Sequence, residues 1–279
     1  MYSIGDHISK LSTLTPSRRV EFVLQNLWPE FNPLAIENAV RSAFSRHNFH
    51  TDTICPIWPE ANNEYVLEMF YGPTGSFKDI YSLLFPYLIS SRKMAVMASG
   101  GSGAIAALNG FVLRPRAKLI IFYPKNEISA KHYIELTSED SENVIAAGVD
   151  DSLVNIQTML DSISFRSDKL TLLHSIRLGK TAPLAAIILS SYCELLAHNK
   201  IAMGEAINII APEGHSSLQQ AIDLAMGIGV PISKFAEKVL FIKPKSDDNS
   251  LEAEEKPIVQ DAIVTLGGME NFIRMVGNQ

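Results

Sequence analysis

Lys78 is the residue whose surroundings point most directly to covalent chemistry. It follows a Gly-Pro-Thr-Gly turn at residues 72–75, in which glycine supplies unusual backbone angles and proline fixes one. A candidate strand at residues 65–70 runs into the turn and a candidate helix begins near Phe77, so Lys78 lies in the first turn of a helix at the edge of a sheet. A lysine beside a ligand-carrying loop can form a Schiff base with a carbonyl cofactor such as pyridoxal phosphate (PLP). Spacing alone also allows an ordinary solvated lysine at a helix start.

A glycine-rich loop after the next strand is a second candidate for ligand binding. Its residues are Ser99, Gly100, Gly101, Ser102 and Gly103. Three glycines before a helix let backbone N–H groups approach an anion at the helix N-terminus, although a tight strand-to-helix turn would need no ligand. The spacing Gly101-x-Gly103-x-x-Ala106 also fits a dinucleotide fingerprint, which would indicate a nucleotide-binding reductase. That fingerprint requires an acid at the end of the next strand, which here ends Tyr123-Pro124-Lys125.

Two later strand-to-helix loops carry groups that bind anions. Arg177 and Lys180 place two cations just before an apolar helix and could clamp a phosphate or carboxylate. A solvated polar helix start is the alternative for this pair. The loop after Ala211 combines Gly214 with hydroxyl groups at a helix start, which suits a phosphate. In that loop Ser216 could instead serve only as a helix cap.

An alternation of strands and helices from residue 65 onward positions these loops. The predicted strands are residues 65–70, 94–98, 118–123, 143–147, 170–174, 207–211 and 238–243. The predicted helices lie near residues 77–90, 103–112, 129–137, 151–164, 181–198 and 216–228, after two N-terminal helices that begin near Thr15 and Asn32. Most strands are continuous apolar runs, which indicates an α/β fold with a mainly parallel sheet covered by helices on both faces. Ligands of such sheets bind at the carboxyl ends of the strands.

The composition favours a globular protein without nucleic-acid or membrane partners. The 279 residues are 47% hydrophobic and 19% charged, with a net charge of -6 and no basic cluster. No apolar run reaches the length of a membrane span and no signal peptide is evident, so a cytoplasmic location is expected. Cys55 and Cys193 are expected to be free thiols. His47, His50 and Cys55 fit no zinc motif, so residues 47–63 are predicted to form a loop without a metal.

The segment from Leu67 to Asp79 resembles the PLP-lysine segment of threonine synthases. In that family a Gly-Pro-Thr is followed closely by Phe-Lys-Asp, and the lysine carries the cofactor. By position, Lys78 is that lysine. Three further segments match in the same order, and together they cover most of residues 20–243. The resemblance implies the fold of type II PLP-dependent enzymes, similar to the tryptophan synthase β subunit, with PLP as the cofactor.

The glycine loop resembles the family's Ser-Gly-Asp-Thr-Gly segment, which lies over the cofactor and takes the substrate carboxylate. Ser99, Gly100 and Gly103 agree with that segment. Ser102 replaces the threonine, and Gly101 stands in place of the aspartate. The resemblance therefore implies that residues 99–103 bind the substrate.

The two later loops resemble the family with more replacements. The first is similar to a Ser-Ile-Asn segment: Ser175 matches, Arg177 replaces the asparagine, and Lys180 occupies the family's basic position, which implies substrate binding. The second is similar to a Pro-Ser-Gly-Asn-Phe-Gly segment that wraps the PLP phosphate, with Glu213 in place of its serine. The implied cofactor-binding residues are Phe77, Lys78, Gly214, His215, Ser216 and Ser217.

The resemblance implies a threonine synthase-like lyase that acts by elimination or replacement on a small amino acid with a phosphate or similar leaving group. A catalytically impaired binding or partner protein with the same fold is the alternative, because the later loops depart from the family pattern. A larger domain is expected from residues 1–90 and 165–243, a smaller α/β domain from 91–164, and an acidic linker with a short helical tail from 244–279. Since threonine synthases continue further, we expect a shortened member that forms a homodimer through this tail.

Overall fold

The computed structural model describes residues 4–61, 63–164, 168–176, 178–212, 214–238 and 272–276. A 3-10 turn at Ile4–His7 comes first. The helices are α1 Ile8–Leu11, α2 Pro16–Leu27, α3 Pro33–Ala43, α4 Asp79–Ser82, α5 Phe85–Leu88, α6 Ser102–Val112, α7 Ala130–Thr137, α8 Leu153–Ser164, α9 Thr181–Ala197 and α10 Ser216–Gly227. The strands are β1 Ile57–Ala61, β2 Glu64–Glu68, β3 Met94–Ala98, β4 Lys118–Pro124, β5 Val144–Val149, β6 Leu170–Leu172, β7 Ile207–Pro212, β8 Ile232–Lys238 and β9 Phe272–Val276.

The described strands form two sheets. One has five strands in the order β1-β2-β9-β7-β8, and the other has four in the order β5-β4-β3-β6. All neighbouring pairs are parallel except β1 and β2, which are antiparallel. The mainly parallel α/β architecture predicted above is therefore confirmed. The assignment of residues to a larger and a smaller domain stays a prediction.

The strand-to-helix connections of the four-stranded sheet follow the predicted order closely. β3 and β4 begin at the predicted residues, and α6 follows β3 directly after the glycine loop. Local capping explains several helix starts: the Asn32 side chain accepts the Leu34 N–H before α3, and Ser129 accepts the His132 N–H before α7. Because β3 and β4 are neighbouring parallel strands, the loops that follow them lie at the same edge of the sheet.

The C-terminal segment differs from the predicted short helical tail. Phe272–Val276 form strand β9, which lies between β2 and β7 inside the five-stranded sheet. Ile273 and Met275 alternate along this strand and are both buried. That spacing of two is the strand period, which a search for helical spacing does not detect. The rest of the predicted linker and tail, residues 244–271 and 277–279, lies outside the described residues.

Two other strands also differ from the predictions. β8 occupies Ile232–Lys238, whereas the last strand was expected at residues 238–243, of which 239–243 lie outside the described residues. β1 occupies Ile57–Ala61 within the segment predicted to be a loop. Pro59 favours a loop in the sequence, but β1 is an edge strand that pairs with β2, and an edge strand tolerates proline.

Helix α9 lies in the core, between the N-terminal helices and α10. Almost all of its residues are buried, and it packs against α2 and α10. A helix that is apolar on all sides requires such coverage. The fixed position of α9 matters for function because its N-terminal end follows the loop that carries Lys180.

Within the described ranges, no helix is both long enough and apolar enough to cross a bilayer. No three metal-ligating side chains come together there either. Cys55 and Cys193 are buried free thiols, as predicted, and burial raises the pKa of both.

Candidate active site

Asp79 holds the turn that precedes Lys78. The N–H of Thr74 donates to Asp79 Oδ2 and the Thr74 hydroxyl donates to Oδ1, both at 2.9 Å. Gly75 adopts a φ of 70° and donates its N–H to the Gly72 carbonyl at 3.0 Å. A Cβ added to Gly72 would lie 2.5 Å from Asp79 Oδ2, so this position requires glycine. The turn therefore fixes where α4 begins, with Lys78 as its N-cap residue.

The Asp79 carboxylate is fully buried beside the lysine that follows the turn. Burial raises the pKa of Asp79 to about 6, while hydrogen bonds from Thr74 and Ser76 act in the opposite direction. At neutral pH the group is therefore mostly ionised and can accept both Thr74 bonds. Because Asp79 is the neighbour of Lys78 in sequence, the bonds that order the turn also order the lysine backbone.

Lys78 is half-buried and its amine contacts the glycine loop. Lys78 Nζ donates to Ser102 Oγ at 2.7 Å. Burial lowers the pKa of Lys78, and the charge of Lys180 lowers it further. A lower pKa increases the fraction of neutral amine, which is the form that attacks a carbonyl carbon. The structure thus favours a reactive lysine over the ordinary solvated lysine that spacing alone allowed.

A cavity of about 560 Å³ opens beside this amine. It lies at the carboxyl ends of β3 and β4, as expected for a parallel sheet. The predicted residues that line it are Lys78, Ser99, Gly100, Gly101, Gly103 and Lys180. Ser102 joins them through its contact with Lys78 Nζ. The lysine and the glycine loop, which are separated by more than 20 residues in sequence, therefore belong to one site.

The sequence analysis missed a polar part of the cavity wall. Its residues are Glu127, Ser129, His132 and Gln157, from the start of α7 and from α8, together with His174. His174 also lines the cavity, and its Nε2 lies 2.7 Å from Asp161 Oδ1. No motif marks these residues. Glu127 and Ser129 lie just before α7, His132 lies in its first turn, and Gln157 lies in α8. The available signal is that these helices follow β4 and β5, whose carboxyl ends are adjacent.

The loop before α9 contributes Lys180 to the cavity but not its other described candidate. Ser175 donates its hydroxyl to the Leu172 carbonyl at 2.8 Å, which is a local structural bond. Lys180 lines the cavity, and burial lowers its pKa. Arg177 lies outside the described residues. The two-cation clamp predicted here therefore has one described member.

The predicted phosphate loop approaches the lysine segment through His215. The His215 ring lies 5.1 Å from the Phe77 ring, edge to face. Burial lowers the pKa of His215, and the nearby charge of Lys78 adds to the effect. Gly214 adopts a φ of 83°, and Ser216 and Ser217 begin α10. Of these residues, His215 is close enough to Lys78 to feel its charge. None of the four is among the residues that line the 560 Å³ cavity, and Glu213 lies outside the described residues.

Replacing Lys180 with methionine is expected to move the reactivity of Lys78 to higher pH. The variant removes a positive charge that lowers the pKa of Lys78, so that pKa rises and less neutral amine is present at a given pH. The measurement is the rate at which Lys78 is trapped by pyridoxal and borohydride as a function of pH. Pyridoxal lacks a phosphate, so a loss of phosphate binding does not contribute.

Lys125→Met is the matched control, because Lys125 is an exposed lysine paired with Asp150 at 2.9 Å. Its profile should overlay that of the wild type. A Lys180→Met profile with the wild-type midpoint would show that Lys180 does not tune Lys78.

The chain is similar to known proteins over most of its length. No family model matches it. The human protein threonine synthase-like 1 is 29% identical over 210 residues, and the match covers 67% of this chain and 28% of that protein. The chain therefore spans about a quarter of the length of this curated relative.

Two solved structures have the same fold. The PLP-bound threonine synthase from Brucella melitensis has a TM-score of 0.68 and 23% identity, and the alignment covers 84% of this chain and 52% of that one. The threonine synthase from Escherichia coli has a TM-score of 0.66 and 18% identity, with 97% of this chain and 68% of that one covered. These likenesses confirm the predicted fold of type II PLP-dependent enzymes.

Proposed function

We propose that this chain, a divergent relative of the threonine synthases, is a PLP-dependent enzyme that holds its cofactor on Lys78. The observation that carries the proposal is the half-buried Lys78 amine, which opens on a cavity and has a lowered pKa. The glycine loop supports the same function, because Ser102 bonds to that amine. A loop used for a dinucleotide would have no need of the lysine contact, so nucleotide binding is the weaker interpretation.

The residues present fit both ends of PLP. Lys78 would hold the aldehyde end. At the phosphate end, a Cβ added to Gly214 would meet no atom within 4 Å, so its backbone is open to a ligand. Ser216 and Ser217 would add hydroxyl and N–H donors from the first turn of α10. Phe77 precedes Lys78 in sequence and His215 follows Gly214, and the contact between their rings links the two segments that would hold the two ends of PLP.

Within this proposal the chain's own groups divide the work. PLP, when bound, supplies an electron-withdrawing ring that stabilises negative charge on the amino-acid Cα. Lys78 removes the proton from Cα and returns one later, and Ser102 keeps Nζ at the cavity wall. The N–H groups at the start of α6 face the substrate carboxylate. Lys180 offsets the negative charge that develops on a leaving phosphate.

We infer that the substrate is a small amino acid with an oxygen-linked leaving group, which undergoes elimination or replacement. The positions of Lys78 and Lys180 support this inference, because both line the cavity and an anion bound beside them would stabilise their charged forms. The alternative is a protein that binds PLP but no longer turns over. Gly101 favours that alternative, because a side chain is absent where the resemblance places an aspartate.

The test measures where PLP attaches to the protein and whether the loaded protein releases phosphate from an amino-acid substrate. The protein is incubated with PLP, reduced with borohydride, digested and analysed by mass spectrometry, and we expect the modification on Lys78. The protein with PLP bound is then mixed with O-phospho-L-serine or its one-carbon-longer homologue, and we expect release of inorganic phosphate. Attachment at Lys78 without phosphate release from either compound would support the binding protein. Attachment elsewhere would refute the proposal.

Replacing Gly214 with aspartate is expected to weaken PLP binding by about tenfold or more. The new carboxylate would stand beside the phosphate, and juxtaposed like charges cost several kcal/mol. Backbone strain also contributes, because aspartate at a φ of 83° is unfavourable. PLP affinity is measured by spectroscopic titration.

Gly204→Asp is the control for strain. Gly204 has a φ of 81°, and a Cβ there also meets nothing within 4 Å. This variant should bind PLP as the wild type does. Equal affinities for the two variants would contradict a phosphate site at Gly214.

The homodimer and the cytoplasmic location expected from the sequence stay predictions.

A further inference from the structure

The glycines of the loop at residues 99–103 are not equivalent. A Cβ on Gly100 would lie 3.1 Å from Pro124 Cδ, so the packing of that loop on β4 leaves little room there. A Cβ on Gly103 would meet Ser99 Oγ at 3.6 Å and Lys78 Cδ at 3.7 Å. A Cβ on Gly101 would meet no atom within 4 Å. Packing therefore explains Gly100. At Gly103 a Cβ would make ordinary contacts, and at Gly101 it would make none, so packing does not explain Gly101.

The backbone does not require glycine at position 101 either. Gly101 has φ -130° and ψ -160°, an extended conformation that any residue adopts. It is the N-cap residue of α6, where aspartate, serine or asparagine would accept a hydrogen bond from the helix. No side chain makes that cap bond in this helix. The fold alone would thus tolerate, and even favour, a capping side chain at this position.

The open space next to Gly101 belongs to the cavity beside Lys78, because Gly101 lines that cavity. We propose that Gly101 determines substrate specificity: the missing side chain leaves room for the side chain of the amino acid that binds there. Among small amino acids, the site would then take those with a longer or branched side chain, and a residue with a Cβ at position 101 would exclude them. This inference rests on the proposed function, since it assigns the cavity to an amino-acid substrate.

The charges around the cavity agree with a glycine at this position. Lys78 and Lys180 both line the cavity, and burial lowers the pKa of each. A carboxylate at position 101 would supply these amines with an internal counter-ion. Without a carboxylate at position 101, the positive charges of Lys78 and Lys180 can pair with the carboxylate of a bound amino acid. A glycine at position 101 therefore leaves room for a bound amino acid and adds no negative charge that would compete with its carboxylate.

The experiment compares Gly101→Ala and Gly101→Asp with the wild type. The ligands are L-alanine, L-2-aminobutyrate, L-norvaline and L-leucine, a series of increasing side-chain size without a leaving group. Affinities are measured by calorimetry, on protein loaded with PLP and on protein without it. Thermal melting of each variant reports its fold. Gly227→Ala is the matched control, because Gly227 lies in the last turn of α10 and a Cβ there also meets nothing within 4 Å.

We expect the wild type to bind L-norvaline and L-leucine at least as well as L-alanine. Gly101→Ala should weaken the two larger ligands by about 10- to 200-fold, the range that one methylene produces in a fitted pocket. It should change L-alanine binding less than about twofold. Gly101→Asp should show the larger loss while melting at or above the wild-type temperature, because aspartate improves the helix cap. Gly227→Ala should leave every affinity unchanged.

Equal losses for all four ligands, or no loss for any, would overturn the inference. So would a wild type that binds none of the ligands in either form. A wild type that takes up no PLP but still binds the ligands with the expected size dependence would refute the proposed function and leave the role of Gly101 standing. The two proposals therefore fail in different measurements.

Discussion

The Lys78→Ala variant is expected to lose covalent attachment of PLP completely. Among the described residues, Lys78 lines the cavity and its amine also donates a hydrogen bond to Ser102 of the glycine loop. Alanine has no group that can bond to the cofactor aldehyde. The variant should therefore show no yellow absorbance after PLP is added and no borohydride-trapped label in the digest. Turnover should fall by at least about 10² to 10⁴-fold, because the proton-transfer group is lost as well.

A lysine-to-alanine change elsewhere on the surface provides the control for this variant. Lys93 is exposed on the connection before β3, so Lys93→Ala should keep the absorbance and the label. Lys78→Ala protein should also melt near the wild-type temperature, because the partly buried amine bonds only to a serine hydroxyl at a cavity wall among the described contacts. Label retained at the wild-type level in Lys78→Ala would place the cofactor on another residue.

The Arg19→Met variant is expected to lose about 3 to 5 kcal/mol of unfolding free energy, the cost of breaking a buried ion pair. The Arg19 guanidinium is buried between α1, α2 and α9 and serves four acceptors. It donates to the carbonyls of Leu11 at 3.0 Å, Ser12 at 3.1 Å and Ser190 at 3.2 Å, and it pairs with Glu194 at 2.6 Å. Methionine fills much of the same volume, so the loss reports the polar contacts that are left unpaired.

The neighbouring arginine supplies a matched comparison for this prediction. Arg18 is exposed and pairs with Glu21 and Glu37 on the surface. Arg18→Met should therefore lose less than about 1 kcal/mol. Urea denaturation followed by circular dichroism measures both variants. If Arg19→Met were no less stable than Arg18→Met, the buried contacts of Arg19 would contribute no net stability to this fold.

The sequence was informative where the chemistry is local. The turn at residues 72–75 and the lysine after it are close in the chain, so their types and spacing indicated a candidate Schiff-base lysine, although they also allowed an ordinary solvated one. The glycine loop was predictable for the same reason, because its residues and the two flanking elements are contiguous. The apolar runs of β3 and β4 also predicted a buried parallel sheet, and the glycine loop lies at the carboxyl end of β3 in that sheet. The turn at residues 72–75 follows β2 of the other sheet, so the contact between Lys78 and Ser102 joins loops of two sheets.

Other parts of the site depend on packing between distant segments. His132 and Gln157 come from two helices, and neither stands in a recognisable motif. They reach the cavity because α7 and α8 follow adjacent strands, and that arrangement appears only in the folded chain. The resemblance marked Gly101 as a departure from the family, but the open space beside it was known only from the folded chain. The pairing of His174 with Asp161 likewise joins a loop to a helix that sequence alone does not connect.

The place of β9 in the five-stranded sheet has a consequence for how the chain folds. Among the described strands, β9 joins the β1–β2 pair to the β7–β8 pair, and it pairs with β2 across roughly 200 residues of chain. During synthesis on the ribosome, α9 and the four-stranded sheet can form before residues 272–276 have emerged. The edges of β2 and β7 stay unpaired for that interval, and unpaired edges invite aggregation and chaperone binding. Pairing with β9 ends that exposure.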